Sequence, residues 1–218
     1  MIHVALARVG SLIAEEALAG WSSADDRQET TRPAGLLCRA LLRGVLASST
    51  RFPSNWRIGK AGDGKPFARH AGGTDTPSVS ISHSGTWSAC AVSLEGDVGI
   101  DIEQLRCDRD LSAIAAWAFG PLECGEVAAE GCNRFYAIWT LREAMAKALG
   151  AGLVMVADRR DRVAGGDNDD FRLLSVDRES WQVIHQMPNS DLSLAIALRL
   201  PTDSLHRKPL VRWWFSES

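Results

Sequence analysis

Val98-Gly99-Ile100-Asp101-Ile102-Glu103 is the stretch that sets the architecture. Val98, Ile100 and Ile102 recur at every second position, the period of a strand with one face on a core. The other face carries Gly99, Asp101 and Glu103. Just upstream, Val79-Ser80-Ile81-Ser82 and residues 87–93 read as two further strands around the turn His83-Ser84-Gly85. Downstream the period changes. Residues 111–118 form a short helical pattern, and 133–149 form the strongest one in the chain. Phe135, Ile138, Trp139, Met145 and Leu149 share its stripe, and Gly150 supplies a stop.

Working outward, Met1-Ile2-His3-Val4-Ala5-Leu6-Ala7 alternates like a strand. After the polar stretch 22–31, Thr30 or Thr31 can cap a helix that has Pro33 in its first turn and runs to about Ala47. Residues 59–77, rich in Gly, Pro and Asp, read as a long loop. Residues 158–170 read as a polar loop, followed by strands at 171–176, 181–187 and 192–200. Each half is thus a helix plus a small antiparallel sheet. The expectation is an α+β protein of two similar lobes related by a pseudo-twofold, 1–96 and 97–218, dividing near Gly96. The aromatic tail Val211-Arg212-Trp213-Trp214-Phe215 suits packing against the body or an interaction patch.

Composition removes several classes of function. A net charge of -3 gives no broad basic field, so no nucleic-acid partner is expected and any polyanion site must be local. No apolar run reaches the ~18 residues of a membrane span, and no charged-then-apolar leader is visible. The five cysteines are odd in number and contain no C-x-x-C pair, which argues against a zinc site or a disulfide framework. Buried thiols in a reducing, cytoplasmic compartment are expected instead.

Several residues can carry chemistry. Asp101 and Glu103 share one strand face; they are either solvated acids or an oxygen-ligand pair for Mg²⁺. Glu143 and Lys147, four apart on the strong helix, are either a surface pair or a ligand-and-phosphate pair. His83, between Ser82 and Ser84, can donate to an anionic oxygen or satisfy a turn. In Gly64-Lys65-Pro66, Gly permits close approach, Pro stiffens the chain and Lys offers a point charge to phosphate, although no Walker loop is present. Arg32, Arg39 and Arg43 fall along one helix stripe, suited to phosphates or simply to water.

In chain order these pieces resemble the 4′-phosphopantetheinyl transferases, most closely the pseudo-dimeric, Sfp-like branch. The matching motifs are Gly64-Lys65-Pro66, Ile81-Ser82-His83-Ser84, Val98 to Glu103, and Trp139-Thr140-Leu141-Arg142-Glu143-Ala144-Met145-Ala146-Lys147. Phe119 followed by Glu123, and Gly150-Ala151-Gly152-Leu153, echo two more. Two positions depart from the pattern: Arg142 replaces a lysine, and the stretch 22–29 is polar or acidic where many members are basic.

The resemblance implies that Asp101, Glu103 and Glu143 surround Mg²⁺, with Mn²⁺ as a substitute. It implies that Lys65, Pro66, Ser82, His83 and Lys147 hold the phosphates of coenzyme A, with Arg32, Arg39 and Arg43 near the nucleotide and Arg32 at the 3′-phosphate. Glu143 or Glu123 would take the proton of the incoming serine. The implied partners are coenzyme A and an apo acyl or peptidyl carrier protein, from fatty-acid, polyketide or peptide synthesis. The implied enzyme is a cytoplasmic monomer. Two other readings are a non-catalytic coenzyme A or nucleotide binder on the same scaffold and a different Mg²⁺-dependent phosphotransferase. The latter is disfavoured by the missing triphosphate loop.

Overall fold

The computed structural model describes residues 1–73, 76–150, 171–176, 179–200 and 211–215. The chain order is β1 (Ile2–Arg8), α1 (Leu12–Trp21), α2 (Ala24–Glu29), α3 (Pro33–Ser49), β2 (Trp56–Lys60), β3 (Pro66–His70), β4 (Ser78–Ser84), β5 (Trp87–Ser93) and β6 (Asp97–Gln104). Then come α4 (Leu111–Ala118), α5 (Pro121–Glu130), α6 (Cys132–Leu149), β7 (Phe171–Val176), β8 (Glu179–Asn189), β9 (Leu192–Leu200) and β10 (Val211–Phe215). The molecule is α+β. One sheet runs β10-β1-β5-β4, a second runs β6-β9-β8-β7, and β2 and β3 form a separate ribbon.

Alternation along the strands divides the side chains between two cores. Ala5, Ala7, Cys90 and Val92 pack beneath Leu37, Leu41 and Val45 of α3. Their neighbours Val4, Leu6, Ala89 and Ala91 face the other way, onto Ile100, Ile102, Leu194, Ile196 and Leu198 of the second sheet. The far side of that sheet, with Val183, Ala195 and Ala197, is covered by α6. The layers are therefore α3, sheet, sheet, α6. Gly99 allows the last contact: a Cβ there would lie 1.8 Å from the Ala144 carbonyl oxygen, so only glycine lets α6 approach β6 this closely. Gly150 ends α6 in the left-handed region at φ 68°, as its position suggested.

The two sheets meet at β4 and β6 through side chains. Ser78, Ser80, Ser82 and Ser84 all point at β6, since every second residue of a strand shares a face. Their hydroxyls accept from the backbone N–H groups of Val98 at 3.0 Å, Ile100 at 3.1 Å, Ile102 at 3.3 Å and Gln104 at 3.0 Å. The other edge of β6 pairs with β9 in the usual antiparallel ladder. Serine oxygens thus satisfy an edge that would otherwise leave buried donors unmade.

Several expectations change. The stretch 59–77, expected as a loop, contributes to the β2–β3 ribbon, in which Lys60 pairs with Pro66; its Gly- and Asp-rich part is the connecting turn. Helices α1, α2 and α5 and the strand pairing of β10 with β1 were not read from the sequence. Neither Thr30 nor Thr31 caps α3: Arg32 holds the cap position, and Thr30 Oγ1 accepts from Arg32 N–H. The expectation against disulfides is also corrected. Cys107, in the loop after β6, is bonded to Cys132 at the start of α6, and spacing rules are blind to a pair 25 residues apart. Cys38 and Cys90 are buried free thiols, and burial pushes the Cys38 thiol up to about 11. The expected loop at 158–170, and Ala151, Gly152 and Leu153, lie outside the described residues. Among the described residues no helix is long and apolar enough to cross a membrane.

Ser80→Ala leaves the Ile100 N–H buried without an acceptor, at a cost of about 1–3 kcal/mol. Thermal unfolding should show a Tm lowered by roughly 2–12 °C for a chain of this size. Ser78→Ala, at the half-buried end of the ladder where water can replace the hydroxyl, should lower it less.

Candidate active site

Ser82 and Ser84 do more than close an edge. Ser82 Oγ accepts from Ile102 N–H and donates to Asp101 Oδ1 at 2.8 Å. Ser84 Oγ accepts from Gln104 N–H and donates to Glu103 Oε2 at 2.6 Å. Each hydroxyl therefore grips β6 by its backbone and by the carboxylate one residue earlier. Strand alternation puts both acids on the face that α6 covers. From α6, Lys147 Nζ donates to Asp101 Oδ1 at 2.6 Å and to Ser82 Oγ at 2.9 Å. Asp101 is buried, and its Oδ2 is fully enclosed with no hydrogen-bond partner among the described residues.

Ser82, Asp101, Glu103 and Lys147 line a cavity of about 530 Å³. One wall is the ribbon, with Lys60, Asp63, Gly64, Lys65 and Pro66; β4 supplies Ser80 to His83; β6 supplies Asp101 and Glu103; α6 supplies Glu143, Lys147 and Gly150; and Arg39 comes from α3. Three acids from two elements crowd one end. Burial raises the Glu143 carboxyl above its ordinary value, and the negative charges of Asp101 and Glu103 add to the effect against the opposing pull of Lys147. Burial also raises Glu103, with Asp101 adding to it, while the Ser84 hydrogen bond, Lys147 and Arg109 oppose. Among the described residues no group of three His, Cys, Asp or Glu side chains is gathered closely enough to hold a metal as it stands. Lys147 occupies one Asp101 oxygen instead.

Of the residues singled out in the sequence, Lys65, Pro66, Ser82, His83, Asp101, Glu103, Glu143, Lys147 and Arg39 share this cavity. Lys65 Nζ presently donates to the Ala148 carbonyl at the end of α6, at 2.6 Å. His83 is exposed. Glu123, Arg32 and Arg43 are not among the lining residues. Glu123 is buried, takes both branches of Arg142 at 2.6 and 3.3 Å, and accepts from Gly120 N–H at the start of α5. Arg142 also lies over the Phe119 ring, so the arginine that departs from the family pattern faces a neighbouring core rather than the cavity. Arg39 and Arg43 both donate to the buried Asp26 and to carbonyls of β2, tying α2, α3 and the ribbon together. Burial pushes the Asp26 carboxyl up, but the hydrogen bonds from Arg43 and Arg39 outweigh it and hold it below its ordinary value. Sequence reasoning missed Lys60, which reaches the cavity across the ribbon. Its signal was its place five residues before Lys65, hidden by reading that stretch as a loop.

With this geometry in view, the comparisons are specific. The model of the 4′-phosphopantetheinyl transferase superfamily matches residues 97–197, the span holding β6 and α6. The 4′-phosphopantetheinyl transferase HetI of Nostoc is 25% identical over 178 residues, covering 80% of this chain and 72% of the relative. A phosphopantetheinyl transferase of Thraustochytrium is 29% identical over 207 residues, covering 79% and 71%. A 4′-phosphopantetheinyl transferase of Bacillus subtilis is 35% identical over a shorter stretch of 82 residues, 36% of this chain and 35% of the relative. Residues 97–197 thus match the 4′-phosphopantetheinyl transferase superfamily, and the similarity to transferases of that name extends over about four fifths of the chain.

Raised carboxyl values carry a sign for stability. A glutamate whose folded value lies above its unfolded value favours the fold below about pH 4.5 and loses that contribution as pH rises through the folded value. In metal-free protein with chelator, Glu143→Gln and Glu103→Gln should therefore melt higher than wild type at pH 7–8. The gain should shrink steadily toward pH 5. A gain that does not vary with pH would contradict the crowding of acids described here.

Proposed function

We propose that this protein transfers the 4′-phosphopantetheine arm of coenzyme A to a serine hydroxyl of an apo acyl or peptidyl carrier protein, in a Mg²⁺-dependent reaction that releases 3′,5′-ADP. The observation that carries the reading is one cavity lined by three acids of β6 and α6 together with Lys60 and Lys65 of the ribbon, His83 of β4 and Lys147 of α6. A pyrophosphate needs both: cations for its oxygens, and a divalent ion to reconcile it with carboxylates.

The donor set fits such an ion. Asp101 Oδ2 is a buried acceptor with no partner among the described residues, and burial, with the charges of neighbouring acids, holds the Glu103 and Glu143 carboxyls above their ordinary values. Asp101, Glu103 and Glu143 would hold Mg²⁺, or Mn²⁺ in its place, which supplies charge neutralisation at the phosphate oxygens when bound. Lys65, Lys147, Ser82 and His83 bind and orient the pyrophosphate, with Pro66 stiffening the ribbon beside it. The serine oxygen forms a bond to the β-phosphorus, the bridging P–O bond breaks, and 3′,5′-ADP leaves with the bridging oxygen. The serine proton passes to Glu143, which lines the cavity. Glu123, spent on Arg142 and the α5 terminus, is left out of this step.

Lys60 takes the part expected of Arg32. It lines the cavity and its side chain makes no hydrogen bond or ion pair to any described residue, which leaves its ammonium for a phosphate outside the reacting pair. Layers on either side of the β4–β6 seam support reading the chain as two related halves, 1–96 and 97–218, with the cavity between them, as in the Sfp-like branch. The protein acts in this reading as a cytoplasmic monomer.

Incubation with coenzyme A, Mg²⁺ and an apo carrier protein should add the mass of one phosphopantetheine to the carrier. Asp101→Ala should lower the rate by on the order of 10²–10³-fold, the loss typical when a partner of transition-state charge is removed. A protein that binds coenzyme A but never consumes it would refute the reading. Lys60→Ala should raise KM for coenzyme A about 5–10-fold with kcat little changed, in keeping with ~1 kcal/mol for one exposed charge-assisted contact.

A further inference from the structure

Glu143 reaches Asp101 and Glu103 only if α6 sits at one height along the second sheet. The apolar part of that interface combines small residues at the closest approach, Gly99, Ala144, Ala148, Ala195 and Ala197, with the larger Leu141, Met145, Trp181 and Val183, and apolar packing by itself is non-directional. Besides the Lys147–Asp101 pair, a fully buried polar contact joins helix and sheet. Thr140 of α6 and Ser193 of β9 are both fully buried, and their hydroxyl oxygens lie 3.1 Å apart. Ser193 Oγ is in turn 2.9 Å from Nε2 of His185 on β8.

The protons in this chain run one way. Thr140 donates its hydroxyl proton to the Tyr136 carbonyl at 2.8 Å, so toward Ser193 it can only accept. Ser193 therefore donates to Thr140, and His185 must present a proton on Nε2 to Ser193. The anchor lies next to the acids at both ends. Ser193 is directly opposite Glu103 in the β6–β9 register. Thr140 precedes Glu143 by three residues and Lys147 by seven, on the same helix face.

We propose that Thr140, Ser193 and His185 form a register pin that fixes α6 against the sheet and so places Glu143 and Lys147 opposite Asp101 and Glu103. They are positioning residues, acting through Glu143 and touching neither phosphate nor serine. The inference rests on the transferase reading of the cavity for its effect on catalysis. Its effects on cation binding and on the histidine proton stand apart from that reading.

The test compares wild type, Thr140→Val and Thr140→Ser. The Mg²⁺-dependent rise in Tm is measured first, then steady-state kinetics. In Thr140→Val the Mg²⁺ midpoint should move about 10–100-fold higher and kcat should fall by a similar factor, the usual scale for groups that orient metal ligands. KM for coenzyme A should stay within ~2-fold, because ground-state binding is untouched, and Thr140→Ser should restore the wild-type pattern. Unchanged midpoints in Thr140→Val, a Thr140→Ser protein as impaired as Thr140→Val, or a wild type whose melting ignores Mg²⁺ would overturn the proposal. Nitrogen-15 NMR of wild type, with His185→Gln to assign the signal, should place the His185 proton on Nε2, and a proton on Nδ1 alone would overturn the pin even if Thr140→Val failed to fold. A wild type that transfers nothing to any carrier would sink the functional reading while the melting and NMR results still judged the pin.

Discussion

Four serine hydroxyls on one strand accept the backbone N–H groups along one edge of another, and the site depends on that seam. Strand β6 has to present two acids to a cavity while its other edge and other face are built into a sheet and a core. A backbone ladder on both edges would satisfy the donors but would leave the carboxylates without local partners. Serine does both, because a hydroxyl accepts and donates at once. Two rungs of the ladder hold backbone alone. The other two, Ser82 and Ser84, also hold Asp101 and Glu103. The seam is thus a structural joint at one end and part of the site at the other.

Electrostatics follow from that placement. Glu103 and Glu143 sit buried near Asp101 with raised carboxyl values, and Lys147 offsets only part of the negative charge. The lysine meets one Asp101 oxygen and leaves the other enclosed and without a partner among the described residues. Elsewhere the chain neutralises buried charge within its own fold. Arg142 meets Glu123, and Arg39 with Arg43 meets Asp26. Buried charges are normally paired in this way. The incomplete pairing in the cavity therefore stands out, and it supports the proposal that an exogenous cation and a polyanion bind there together.

Much of this was legible in the sequence because it rests on period and order. The alternation of Val98, Ile100 and Ile102 gave β6, and the stripe from Phe135 to Leu149 gave α6. Together they put Asp101, Glu103, Glu143 and Lys147 in play. Residues whose partners lie far along the chain were harder to assign. Ser-x-Ser-x-Ser-x-Ser at 78–84 was visible, but its partner strand lies twenty residues on and nothing local names it. Arg39 and Arg43 looked like a phosphate stripe because the buried Asp26 sits on a short helix with no apolar period to announce it. Glu123 kept its motif position while its side chain turned to Arg142. Lys60 and the Cys107–Cys132 bond were missed for the same reason: pairing across a ribbon or an intervening pair of helices is a tertiary fact.

In the proposed reaction Asp101 Oδ2, buried and without a hydrogen-bond partner among the described residues, is the principal anchor of the cation. Anomalous diffraction from crystals grown with coenzyme A and Mn²⁺ measures this directly. A manganese peak about 2.1 Å from Asp101 Oδ2, the usual length of such a bond, with Ser82 still bridging Asp101 and the Ile102 N–H, is the predicted result. A saturated crystal with the peak elsewhere, or with Asp101 turned away from it, would contradict the account.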